Sequence, residues 1–63
     1  LSSARFGRIE SDIRRILNQG PCERARLIEI LPYPREQVIE TLRFLCDEEY
    51  INCEAGHTYK INS

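Results

Sequence analysis

Apolar residues recur at helical spacing at the start of the chain: Phe6, Ile9, Ile13, Ile16 and Leu17. A helix turns once in about 3.6 residues, so this set forms a stripe along one face and predicts helix 1. The run ends at Asn18-Gln19-Gly20-Pro21, where glycine suits the position after a helix and proline forbids continuation. Gly7 interrupts the first turns, so the start falls either near Arg8 or at Ser2 or Ser3, each of which can cap. From Cys22 to Leu31 the residues Leu27, Ile28 and Leu31 share one face and Pro32 stops the run, which predicts a short helix 2. Pro34 followed by Arg35-Glu36 fits a proline at the first helical position with an acid behind it. Helix 3 is then expected from Arg35 to about Glu48, with Val38, Leu42 and Leu45 at i, i+4 and i+7 and with Thr41 and Cys46 flanking them.

Beyond Glu49 the period changes. Tyr50-Ile51-Asn52-Cys53 and Thr58-Tyr59-Lys60-Ile61-Asn62 alternate around the turn residues Glu54-Ala55-Gly56-His57, the pattern of a hairpin. A lone hairpin is marginal in water, so Ile51, Tyr59 and Ile61 are expected to pack onto the helices. The predicted architecture is α+β: three helices around Ile9, Ile13, Leu17, Leu27, Ile28, Leu31, Val38, Leu42, Leu45 and Ile51, closed by a C-terminal two-stranded hairpin.

The order helix, helix, helix, strand, turn, strand resembles that of winged-helix (helix-turn-helix) domains. The stretch that carries the resemblance is Val38-x-x-x-Leu42-x-x-Leu45-x-x-x-x-Tyr50-Ile51, followed by Tyr59-Lys60-Ile61. Within that superfamily, Phe44-Leu45-Cys46-Asp47-Glu48-Glu49-Tyr50-Ile51 and His57-Thr58-Tyr59-Lys60 are similar to the C-terminal winged-helix domain of the middle subunit of replication protein A, with Asn52 standing where that family has an aromatic. The resemblance implies a docking domain for helices of DNA-repair and replication partners in the nucleus. It places the docking surface at Glu48, Asn52, Cys53 and, on the adjoining wing strand, Thr58.

With 63 residues the chain has room for one small domain, residues 8–63, with residues 1–7 as a tail or the start of helix 1. It contains no Met and is read as a module of something longer. No apolar run approaches the length of a membrane span, so no membrane partner is expected. The formal net charge of -1 argues against strong nonspecific attraction to polyphosphate. That sum hides an asymmetry. Residues 1–21 hold Arg5, Arg8, Arg14 and Arg15 against Glu10 and Asp12, while residues 35–49 hold Glu36, Glu40, Asp47, Glu48 and Glu49 against Arg35 and Arg43.

These charges set two functional expectations. Phe44 falls roughly opposite the Val38 and Leu42 stripe, so an aromatic ring beside the acids at the end of helix 3 suits a basic amphipathic helix from a partner protein. The alternative is DNA binding, with Arg35, Gln37 and Arg43 of helix 3 facing the groove and Arg8 and Arg14 of helix 1 on phosphates. Glu36, Glu40 and Asp47 among the helix 3 residues oppose it, so duplex binding is expected to be weak.

Three cysteines, Cys22, Cys46 and Cys53, cannot pair completely, which favours a reducing, intracellular compartment, nuclear or cytoplasmic. Together with His57 they offer four potential metal ligands, but without the paired C-x2-C spacing of strong metal motifs, and no metal or cofactor is expected. No nucleophile with an adjacent base and no phosphate-cradling glycine loop is present, so a non-catalytic module is expected.

Overall fold

The helical stripe of Ile9, Ile13 and Leu17 lies on a continuous helix, α1 (Ser2–Leu17), in a computed structural model that describes residues 2–62, with side chains described from Gly7 onward. Helix 1 therefore begins at Ser2 and carries Gly7 inside it. The side chains of Ser2, Ser3, Arg5 and Phe6 lie outside the described residues. Arg14 and Arg15 occupy the last turn, where cations complement the helix dipole. The chain then leaves through Gly20, whose φ of 145° suits a residue without Cβ.

Cys22 and Glu23, expected in helix 2, instead form a strand, β1 (Cys22–Glu23). They pair antiparallel with the C-terminal strand, Cys22 opposite Tyr59 and Glu23 opposite Thr58. An unpaired strand edge leaves a row of backbone donors and acceptors open, and β1 covers it. Helix 2 shrinks accordingly to α2 (Arg24–Ile30), whose first amide donates to the His57 carbonyl at 2.9 Å. Leu27 and Leu31 are buried as expected, while Ile28 is only half-buried against the core.

The Pro32-Tyr33-Pro34 connection is tied to α1 by the Tyr33 hydroxyl, which donates to Asp12 Oδ2 at 2.5 Å. α3 (Arg35–Asp47) follows, with Pro34 just ahead of its first turn rather than within it. Val38, Leu42 and Leu45 are fully buried, and so is Thr41, whose hydroxyl donates to the Gln37 carbonyl at 2.7 Å. The helix ends in two reversed bonds: the Glu49 amide donates to the Cys46 carbonyl at 3.0 Å and the Tyr50 amide to the Leu45 carbonyl at 2.9 Å. That geometry requires a left-handed residue after the cap, and Glu49 supplies it with a φ of 64°.

The hairpin consists of β2 (Ile51–Glu54) and β3 (Thr58–Ile61). In its turn Ala55 and Gly56 both have positive φ, 56° and 79°, as tight hairpin connections demand. The sheet is therefore three-stranded and antiparallel in the order β1-β3-β2, not a two-stranded hairpin alone. The molecule is α+β, with three helices and this sheet among the described residues. Alternation sends Ile51, Cys53, Tyr59 and Ile61 to the side facing the helices and Asn52, Glu54, Thr58 and Lys60 to the outer face. Ile51 and Tyr59 enter the same buried cluster as Ile9, Ile13 and Leu17 of α1, and Ile61 packs half-buried against it.

Candidate functional site

α3 advances about 100° per residue, so its surface divides around the buried stripe. Gln37, Phe44 and Glu48 fall on one shoulder, while Arg35, Ile39 and Cys46 fall on the other. Glu36, Glu40 and Asp47 take the outward face. Phe44 is 39% exposed, and Tyr50, just past the end of the helix, is 43% exposed. Between these rings Asp47, Glu48 and Glu49 are all exposed. None of the three forms an ion pair among the described residues, whereas Glu54 of β2 is taken up by Lys60 at 2.8 Å.

The five residues expected to bind a partner do not form one patch. Phe44 and Glu48 lie a turn apart on α3, and the Glu48 amide donates to the Phe44 carbonyl at 3.0 Å. Asn52 and Thr58 stand on the outer face of the sheet, separated by Glu54 and Lys60. Asn52 is held there by Asn62, its side-chain amide donating to Asn62 Oδ1 at 3.1 Å, while Asn62 donates to the Glu49 carbonyl at 2.8 Å. That chain of bonds fastens Asn52 to the end of α3, so Phe44, Glu48 and Asn52 belong to contiguous backbone. Cys53 points to the other side of the strand, toward Cys46 and Tyr59. Burial pushes the Cys46 thiol up from its ordinary range, with Cys53 and Asp47 adding to the effect. The Tyr59 phenol is likewise raised, first by burial, with Cys53 and Cys46 adding and Arg24 opposing. A thiol so raised is protonated near neutral pH and a poor nucleophile.

The residues expected to face DNA are also dispersed. Arg35 and Arg43 are exposed on α3, but Gln37 is half-buried and its Oε1 has no hydrogen-bond partner among the described residues, so it is not on the outward face. The helical wheel is responsible: Gln37 sits next to the Val38 and Thr41 positions, both fully buried. Arg8 is exposed. Arg14 is engaged, its guanidinium 4.4 Å above the Tyr50 ring and 3.6 Å from the Glu10 carboxylate. Sequence reasoning missed Tyr50 as a surface aromatic, because it stands at the start of an alternating run that reads as strand; the helix-ending geometry moves it off the sheet.

Among the described residues no three Cys, His, Asp or Glu side chains gather closely enough to hold a metal ion, and no helix is long and apolar enough to cross a membrane. Compared with protein-family models, with curated proteins and with solved structures, the chain finds no match in any of the three.

Proposed function

We propose that the chain is a non-catalytic winged-helix module of a larger DNA-metabolism or transcription protein, and that it docks a basic amphipathic helix of a partner against the end of α3 and the first residues of β2. The order of three helices followed by a hairpin supports the winged-helix reading. One observation carries the docking reading: three consecutive exposed carboxylates, Asp47, Glu48 and Glu49, without an ion pair among the described residues, stand in the chain between two exposed aromatic residues, Phe44 and Tyr50. Carboxylates at a helix C-terminus oppose the helix dipole, and a left-handed Glu49 is strained relative to glycine. A cationic partner offsets the first cost, since it meets the dipole and the carboxylates together. Aromatic anchors amid charge are what interface hot spots are made of. Cys53 faces the other side of β2, and Thr58 shares the outer face with Asn52 but is separated from it by Glu54 and Lys60.

Chemical-shift mapping with a basic amphipathic peptide tests the proposal. Amides of Phe44, Asp47, Glu48, Glu49 and Asn52 should move, and the paired substitution E48K and E49K should weaken binding, as should added salt. Perturbations confined to Arg8 and Arg14, with Phe44 to Cys53 silent, would overturn it.

A further inference from the structure

The start of α3 carries a different chemistry from its acidic end. Between the start of α2, the start of α3 and the wing turn lies a cleft of about 450 Å³ lined by Glu23, Arg24, Ala25, Ile28, Arg35 and His57. Its three basic side chains come from three separate elements. We propose that this cleft binds a phosphate monoester, the side chain of a phosphorylated serine or threonine on a partner protein.

Four observations carry it. Arg24 and Arg35 have no ion-pair partner among the described residues, although Arg24 is half-buried. Guanidinium groups in that condition present bidentate donors suited to a tetrahedral oxyanion. The Arg24 amide bond to the His57 carbonyl, 2.9 Å, locks the β2–β3 turn against α2, so the backbones that carry the imidazole and the Arg24 guanidinium are held side by side. His57 Nδ1 lies 3.2 Å from the Thr58 hydroxyl; when that hydroxyl donates to it, Nε2 carries the proton and becomes a donor into the cleft. Finally, Ala25 and Ile28 add an apolar floor on which the short aliphatic part of a serine or threonine can rest.

The surrounding charge selects a compact dianion over an extended polyanion. A phosphomonoester concentrates about -1.5 to -2 charges on one group, which two guanidinium groups and an imidazole match locally. A nucleic-acid strand must continue past the cleft, and along α3 it would meet Glu36, Glu40 and Asp47; the one carboxylate lining the cleft itself, Glu23, is outnumbered there by the two guanidinium groups. This site is independent of the acidic docking surface, and the two proposals fail separately because their residues do not overlap.

The test is an NMR titration of the 63-residue chain with N-acetyl-phosphothreonine N-methylamide, its unphosphorylated counterpart and a short DNA duplex. The phosphorylated compound should shift Glu23, Arg24, Ala25, Arg35 and His57 saturably while the unphosphorylated one does not. R24Q and R35Q should each weaken it about tenfold, and R43Q should leave it unchanged. Shifts that ignore R24Q and R35Q, or equal shifts from the unphosphorylated compound, would overturn the site. Tighter binding of the duplex that is lost in R43Q as well would replace it with a nucleic-acid surface.

Discussion

Leu42 offers the sharpest test of how α3 is seated. It is 0% exposed, and it packs in the cluster that joins α1, α2, α3 and the sheet. Leu42→Ala removes the branch beyond Cβ, and three lost carbons at about 0.8 kcal/mol each give about 2.4 kcal/mol from transfer alone. The cavity left in so small a core adds to that, and comparable sites cost about 2 to 5 kcal/mol in total. Domains below about 70 to 80 residues rarely hold more than 3 to 5 kcal/mol of stability, so the variant should stand close to unfolding. Neighbouring Arg43 is exposed and unpaired among the described residues, and Arg43→Ala should change stability by no more than about 0.5 kcal/mol. Thermal melts followed by circular dichroism separate the two. Each kcal/mol lowers the midpoint of a domain this size by about 4 to 8 °C, so Leu42→Ala should lose about 10 °C or more. Equal midpoints for the two variants would refute the register of α3 and with it the division of its surface into shoulders.

Two further outcomes follow from the same geometry. Glu49 holds a φ of 64°, so Glu49→Gly should raise stability by about 1 kcal/mol in urea denaturation, while weakening binding of the basic peptide; a loss of stability would show that the left-handed cap is not strained. Cys46, Tyr33 and Tyr59 all have raised values, Cys46 and Tyr59 chiefly through burial and Tyr33 chiefly through its hydrogen bond to Asp12. A folded state that holds these protons more tightly keeps their contribution below the ordinary values of 9.0 and 10.0 and loses it as pH rises through the folded ones. Urea midpoints should therefore fall above about pH 9, and fall less in Tyr33→Phe; midpoints that hold steady or rise with pH would contradict the assignment.

The order of helices and hairpin was legible in the sequence because each element carries its own period. Val38, Leu42 and Leu45 mark a helix whatever surrounds them, and Ile51 and Tyr59 mark strands that need a cover. Gly20, Pro21 and Pro32 punctuate the chain through local sterics alone. Phe44 was recognisable as a surface ring by the same wheel that buries Leu42.

Tertiary contacts decided the rest. Two residues have no period, so Cys22 and Glu23 show their strand character only once β3 offers an open edge for them to pair with. Gln37 and Cys53 went to unexpected sides because a residue at the border of a stripe, or near the end of a strand, is placed by what packs beside it: the buried Val38 and Thr41 beside Gln37 on α3, and Cys46 with Tyr59 behind β2. Arg24, Arg35 and His57 are far apart along the chain, and only the closing of the β2–β3 turn onto α2 brings them to one cleft. Periodicity is a property of neighbours in sequence. A binding site is a property of neighbours in space, and in this protein the turn after Glu54 makes the difference.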